Sequence, residues 1–85
     1  MKSEIPKELH LGNIVKEQVD RKGYRTVWLA EQLHCHRNNI YKIYEKQWID
    51  TELLLKLSFI LNCDFFAIIS EYYKRERKSS HKFTT

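Results

Sequence analysis

Apolar residues recur three and four positions apart along most of this chain, and that spacing constrains the fold more than any other feature. The clearest run places five residues on one side of an α-helix, namely Leu53, Leu54, Leu57, Ile60 and Leu61. No segment alternates apolar and polar residues as a half-buried strand does. Only two Gly and one Pro occur among the 85 residues, which disfavours turn-rich β-sandwiches. The sequence therefore predicts an all-α fold.

Glycine and capping residues divide the first half of the chain into three short helices. The first is expected over about residues 9–22, because Gly23 can hold the left-handed position that ends a helix. Thr26 can act as the N-cap of a second helix, which breaks at His34 after about two turns. A third helix is expected to begin near Arg37.

Two aspartates mark the starts of the last two helices. Asp50 can cap a fourth helix that ends at Asn62, a residue type that tolerates the left-handed conformation. Asp64 can cap a fifth helix. Beyond it the periodicity stops, which indicates a mobile basic tail. The chain is accordingly divided into an N-terminal extension over 1–8, a domain of five helices over 9–73 and a flexible tail over 74–85.

Length and composition fit one small domain with a core. The chain has a mass of 10.4 kDa and 42% hydrophobic residues. Two Cys are too few for a disulfide scaffold. The first eight residues carry charges where a signal peptide needs apolar residues, and the longest apolar run, 65–69, is far below the ~20 residues that span a bilayer. A cytoplasmic protein with no membrane partner is expected.

The charges are unevenly distributed. Residues 24–48 carry four Lys or Arg against two acids, and residues 74–85 carry five against one. Residues 49–73 carry one against four. Such asymmetry favours a polyanionic partner for one face, with a merely solvated surface as the alternative reading.

The second helix, a tight turn and the third helix form the most informative pattern. Short helices joined by about three or four residues can present the second of the pair to the major groove of DNA. The third helix then needs apolar residues at its middle, as Ile40 and Ile43 provide, and a donor-rich exposed face. The residues expected on that face are Arg37, Asn38, Tyr41 and Lys42.

Residues 24–66 resemble the lambda-repressor-like, XRE-type helix-turn-helix proteins, which include Cro. The matching positions are Leu29, Ala30, Leu33, Cys35, Ile40, Lys42, Ile43, Leu54, Leu55, Lys56, Leu57 and Leu61. With the first and fifth helices added, the resemblance covers about residues 9–73. It implies a compact five-helix DNA-binding domain whose recognition helix, about 37–45, enters the major groove.

Four positions depart from the family pattern. His34 replaces the usual glycine of the turn, where the backbone is left-handed; His is among the non-glycine residues enriched in that conformation. His36 replaces the usual Ser or Thr cap of the third helix. Thr26 and Lys46 replace a frequent Gln and a frequent Gly. These changes leave the fold intact, and they weaken the inference that individual DNA contacts of the family also occur in this protein.

The resemblance assigns base reading to Arg37, Asn38 and Lys42. Arg and Lys suit the acceptors of guanine, and Asn suits adenine. The family's phosphate contacts fall on Thr26, Asn39, Tyr41, Lys46 and Gln47. The cations of the tail would add salt-sensitive, non-specific affinity. The competing interpretation is that these side chains form the solvated face of a surface helix.

The aromatic residues also have two readings. Most occur at helical spacing and are predicted to lie in the core, namely Tyr24, Trp28, Tyr44, Phe59, Phe65 and Phe66. Trp48 and Ile49 follow the third helix and either pack against the fourth helix or contact a second subunit.

A metal site at His34, Cys35, His36 and Cys63 is disfavoured, and no cofactor is expected. Consecutive residues of a tight turn point in different directions, and the usual spacing of zinc ligands is absent. The two Cys occupy positions that the fold requires to be apolar.

The sequence favours sequence-specific binding of double-stranded DNA by a small transcriptional regulator, acting as a homodimer because one short helix reads few base pairs. The alternative is a protein-interaction module, antitoxin-like or an adaptor, that keeps the fold and binds a protein partner. RNA binding through the tail is a weaker option, since no stacking surface for single strands is evident. No catalytic motif occurs, so an enzyme is not expected.

Overall fold

The computed structural model describes residues 9–79, and within that range it contains helices and no strand. The helices are α1 (Leu11–Arg21), α2 (Thr26–Gln32), α3 (Arg37–Glu45), α4 (Thr51–Leu61) and α5 (Phe65–Ser79). The predicted all-α class and the five helices are confirmed. The N-terminal extension over 1–8 and the last part of the predicted tail, 80–85, lie outside the described residues.

Three helices end in the same way, with one left-handed residue. Gly23, His34 and Asn62 have φ values of 77°, 56° and 51°. At each of them two backbone N–H groups turn back to the carbonyls of the last helical turn, as in Cys35 N to Ala30 O at 3.0 Å. This is the Schellman arrangement, which satisfies carbonyls that the helix leaves without partners. The sequence-based prediction is confirmed at all three positions.

Side-chain caps begin four of the helices. Asp50 accepts from Leu53 N at 2.8 Å and Asp64 accepts from Ala67 N at 3.0 Å, as predicted. Two histidines also act as N-caps, with Nδ1 as the acceptor. His10 accepts from Asn13 N at the start of α1, and His36 accepts from Asn38 N at the start of α3, both at 3.1 Å.

The prediction that Thr26 caps α2 is wrong. The N-cap is Arg25, whose side chain makes no capping bond, and Thr26 is the first helical residue. The hydroxyl of Thr26 instead lies 3.2 Å from the hydroxyl of Tyr44 on α3. The side chain therefore joins two helices rather than ending one.

The core forms where all five helices meet, and no polar side chain is buried in the described range. Its fully covered members are Leu11, Val15, Val19, Leu29, Ile40, Leu54, Leu57, Leu61 and Phe65. Ile49 also belongs to the core, whereas its neighbour Trp48 remains 57% exposed.

The N-terminus of α1 is hydrogen-bonded to the two residues that follow α3. Leu11 N donates to Gln47 O at 2.8 Å, and Gly12 N donates to Lys46 O at 2.9 Å. A Cβ at Gly12 would overlap the backbone oxygens of Ile43, Tyr44 and Lys46. Glycine is required here because the two backbones touch, and this contact fixes the direction of α3.

The predicted tail is helical in its first part. Residues 74–79 continue α5 through Ser79, six positions beyond the expected domain boundary. Apolar periodicity stops at Tyr73, but Lys, Arg and Glu are good helix formers, and elongating an existing helix costs little. Lys74 and Glu71 also lie 3.9 Å apart, one turn from each other on α5.

Two aromatic residues predicted in the core lie at the surface. Phe59 is 78% exposed on the outer side of α4, and Tyr24 is 39% exposed and stacked on Trp28 with ring centroids 4.1 Å apart. Helical spacing tells which residues share a face, and it does not tell whether another element covers that face. Phe65 and Tyr44 are buried, and Phe66 is half-buried, as predicted.

Between residues 9 and 79, no single helix is long and apolar enough to cross a membrane. Helices α4 and α5 satisfy that criterion only as a pair, bent by 118° between them.

Candidate nucleic-acid interface

Helices α2 and α3 form a compact pair on one side of the molecule. Four residues, 33–36, join them, and α3 packs against both α2 and α1. The buried side of α3 consists of Ile40, Ile43 and Tyr44. Since these residues fix the rotation of α3 about its axis, the opposite side is exposed along its whole length.

The three residues predicted to read bases lie on that exposed side. Arg37 is the first residue of α3, Asn38 follows it, and Lys42 lies one turn further along. None of the three is buried, and neither cation has an ion-pair partner within the described part of the chain. Their hydrogen-bonding groups are thus directed to solvent.

The five residues predicted to contact phosphates divide into two sets. Asn39, Tyr41 and Lys46 are exposed around α3. Thr26 and Gln47 are half-buried and already bonded within the protein. The structure therefore brings three of the five to the surface beside the base-reading residues.

Gln47 and Thr26 hold the helices in place. The side-chain amide of Gln47 donates to Leu9 O at 3.1 Å, and its backbone oxygen accepts from Leu11 N. The hydroxyl of Thr26 bonds the hydroxyl of Tyr44. Both residues therefore hold in place the helices that form this surface, rather than forming its exposed side.

Tyr44 is the point at which α1, α2 and α3 meet. Its hydroxyl reaches Thr26 on α2, Lys16 Nζ of α1 lies 5.9 Å from its ring centre, and Tyr41 contacts it edge to face at 6.2 Å. Burial raises the pKa of the Tyr44 phenol, because the anion would lose solvation, and the bond from Thr26 and the charge of Lys16 only partly offset this effect. The phenol therefore stays neutral at neutral pH.

Cations around α2 and α3 differ from most of those elsewhere in their lack of acidic partners. Lys16, Arg21, Lys56 and Lys74 each form an ion pair within their own helix. Around α3 the cations have no such pair inside the described range, and they are Arg25, Arg37, Lys42 and Lys46. These four cations outnumber the two exposed acids of the same helices, Glu31 and Glu45, so the surface carries a net positive charge.

The sequence-based prediction did not include Arg25 or His36 among the residues that contact DNA. Arg25 is exposed immediately before α2, next to Thr26, whose hydroxyl bonds Tyr44 of α3. His36 uses Nδ1 to cap α3, so the neutral ring carries its proton on Nε2 as a free donor beside Arg37. The signal for His36 was its place one residue before the helix, where a side-chain acceptor is needed.

The candidate metal ligands do not form a cluster. Within residues 9–79, no group of three or more His, Cys, Asp or Glu side chains could hold a metal ion. Cys35 and Cys63 are unpaired thiols, half-buried against the core. Burial raises the pKa of the Cys63 thiol, and the thiolate form needed for metal binding or attack is therefore disfavoured.

Neither models of protein families, nor curated proteins, nor solved structures match this chain. The resemblance to the lambda-repressor-like family therefore stays a prediction.

Proposed function

We propose that this protein binds double-stranded DNA with sequence specificity, with α3 as the recognition helix of a helix-turn-helix in the major groove. The observation that carries the proposal is the exposed side of α3. It presents Arg37, Asn38 and Lys42, and neither cation forms an ion pair among the described residues. The other side of the same helix packs into the apolar core.

Each base-reading residue has a distinct task in this proposal. Arg37 forks onto the O6 and N7 acceptors of guanine, Asn38 pairs with adenine N6 and N7, and Lys42 reaches a second guanine. Positions at the N-terminal end of α3 suit this work, because the start of a recognition helix lies closest to the base edges.

The exposure and hydrogen bonds of the side chains change part of the proposed set of phosphate contacts. Asn39, Tyr41 and Lys46 remain candidates because they are exposed. Arg25 and the Nε2–H of His36 join them, since both can donate to a phosphate oxygen. Arg25 is exposed next to Thr26, which bonds α3, and His36 directly precedes α3. Thr26 and Gln47 act mainly by positioning, since each is bonded within the protein.

A transcriptional regulator built from this domain would use two copies in the cytoplasm. With nine residues, α3 is roughly 13 Å long and can cover only a few base pairs. Two copies on half-sites about one helical turn apart would supply enough specificity. The proposed role is binding, and no catalysis is assigned.

The test is selection from a random duplex DNA pool at near-physiological salt, followed by sequencing. We expect a two-fold symmetric motif with half-sites about 10 base pairs apart. A pool that enriches no motif, with binding that disappears steeply as salt rises, would contradict sequence-specific recognition.

The second candidate function is binding of a protein partner, and a specific observation favours it. Phe59 and Trp48 are large apolar residues that are more than half exposed. A partner pulled down in equal amounts by the wild type and by Arg37→Ala/Lys42→Ala, together with a failed DNA selection, would favour this candidate.

A further inference from the structure

Imidazole rings cap the starts of α1 and α3, and this kind of cap responds to protons. His10 and His36 accept through Nδ1 from Asn13 N and Asn38 N, each at 3.1 Å. A histidine ring can accept a hydrogen bond only while it is neutral, because the imidazolium ion donates from both nitrogens. The two caps therefore exist only while the rings are unprotonated.

The caps of α4 and α5 differ in this respect. Asp50 and Asp64 accept through carboxyl oxygens, and a carboxyl group keeps an acceptor oxygen in both of its protonation states. An unperturbed imidazole takes up its proton near about pH 6.5. Mild acid therefore removes the side-chain caps of α1 and α3 and leaves those of α4 and α5 in place.

Helix α3 depends on its histidine more than α1 does. The start of α1 is also held by the two backbone bonds to the residues that follow α3. At the start of α3, Asn39 N donates to His36 O at 2.9 Å and Asn38 N donates to the His36 ring. Within residues 9–79, no hydrogen bond joins the backbone of this first turn to another segment. The ring of His36 is therefore the side-chain support of the turn that carries Arg37 and Asn38.

The ionisable groups around His36 do not replace this bond. Those on α1 and α4 that are charged form ion pairs within their own helices, namely Lys16–Asp20, Glu17–Arg21 and Glu52–Lys56. Nearest to His36 along the chain are Glu31 on α2, His34 and Cys35 in the turn, and Arg37 on α3. The ring of His36 is exposed and forms no ion pair with any described residue. The bond from Asn38 N is thus the interaction that distinguishes its two protonation states.

We infer that His36 makes the first turn of α3 a proton-sensitive part of the candidate interface. Protonation removes the acceptor for Asn38 N and places a positive charge at the positive end of the helix dipole, so the turn that carries Arg37 and Asn38 frays. The imidazolium ion also adds a cation that attracts phosphates without reading bases. Acidification therefore weakens binding to the selected site relative to binding of other duplexes.

The loss of the cap is independent of DNA, and NMR of the full chain between pH 7.5 and pH 5.0 measures it. Cα chemical shifts of Arg37 and Asn38 report the helicity of the first turn, and imidazole ¹⁵N shifts report the protonation of His36. In the wild type, helicity should fall in step with protonation of that ring. His36→Asn, whose amide oxygen caps at any pH, should stay helical, and His36→Ala should resemble the acidic wild type already at pH 7.5.

His10→Asn and His34→Asn are the matched controls. Each replaces another described histidine, and Asn suits both positions, as an N-cap in the first and as a left-handed residue in the second. Neither change should alter the response of α3 to pH. A wild type in which His36 protonates while the first turn keeps its helicity would overturn the inference, and so would a transition that persists in His36→Asn.

The consequence for recognition rests on the proposed function. Fluorescence anisotropy on the selected site and on a scrambled site, at pH 7.5 and pH 5.5, gives the ratio of the two affinities. This ratio should fall by roughly fivefold in the wild type and stay constant in His36→Asn. A constant ratio in a wild type whose first turn frays would overturn the link between the cap and base reading. A duplex selection that enriches no motif would contradict the proposed function instead, and the NMR experiment would decide the cap separately.

Discussion

Tyr44 shows how one side chain supports a surface that it does not itself form. Its ring is buried among α1, α2 and α3, and its hydroxyl meets Thr26 across the pair that carries the candidate interface. Without this bond, a part-buried hydroxyl would lack a partner, and an unpaired hydroxyl away from water costs more free energy than one in water.

Replacing Tyr44 by Phe should lower the free energy of unfolding by about 0.5–1.5 kcal/mol, because the bond to Thr26 is lost. The effect should depend on pH. The folded-state pKa of Tyr44 is raised above that of the unfolded chain, so its contribution is complete below about pH 10 and is lost as the pH rises through the folded value. Urea unfolding between pH 7 and 11 measures both effects.

The matched control for that experiment is Tyr41→Phe. Tyr41 is half-exposed, and its hydroxyl has no bond among the residues described. Removing this hydroxyl should leave the free energy of unfolding at neutral pH unchanged. If the wild type and Tyr44→Phe lost the same unfolding free energy as the pH rises, the Tyr44 phenol would not be the cause of the pH dependence.

Arg37 is the residue on which the DNA proposal depends most directly. Arg37→Ala should cost about 1–3 kcal/mol on the selected site and relax one base position. Lys46→Ala should weaken binding to all sequences equally and lower the salt slope by about 1, as expected for a phosphate contact. Repeating the duplex selection with both variants distinguishes these roles. Equal losses on all sequences for Arg37→Ala would exclude base reading.

At the scale of elements, the ends of helices determine how α2 meets α3. The turn between them closes through His34 at φ 56°, with His34 N on Glu31 O and Cys35 N on Ala30 O. A left-handed conformation costs an L-residue roughly 1–2 kcal/mol, and glycine avoids this cost. The α2–α3 turn is therefore strained at His34.

His34→Gly should raise the free energy of unfolding by roughly 0.5–1 kcal/mol, since relief of strain exceeds the added entropy of the unfolded chain. His34→Ala keeps the strain and should show no such gain. Asn62→Gly, at the end of α4, should gain less because Asn tolerates this conformation. Denaturant unfolding of the three variants ranks them, and a destabilised His34→Gly would mean that the imidazole makes a favourable contact.

Charge acts at the scale of the whole molecule. The end of α5 carries Lys74 and Arg77, which lie outside the candidate interface on α3. Such cations attract DNA over a Debye length without reading its sequence. They should therefore change affinity and leave specificity alone.

Lys74→Ala/Arg77→Ala should reduce affinity for all duplexes and lower the slope of log K against log salt by at most about 2. The selected motif should not change. Fluorescence anisotropy across a salt series, on the selected site and on a scrambled site, measures both quantities. A changed motif would place the end of α5 in the recognition surface.

The sequence by itself determined the five helices and most of their ends, because these depend on interactions within a few residues. The cap of α2 and the end of α5 are the exceptions. Helical spacing, aspartate caps and the left-handed stops at Gly23 and Asn62 are all local, and the structure agrees with each. The left-handed residue at His34 was expected from the family resemblance. The exposure of Arg37, Asn38 and Lys42 followed from the same spacing, once Ile40 and Ile43 were assigned to the core.

Only the tertiary structure decided which surfaces are covered and which distant residues meet. Thr26 and Tyr44 are 18 residues apart, and the contact of Gly12 with the end of α3 joins segments separated by more than 30 residues. Phe59 has the spacing of a core residue and lies in solvent, because no described element packs on that side of α4. Spacing along a helix sets the direction of a side chain, and only the packing of other helices determines what that side chain meets.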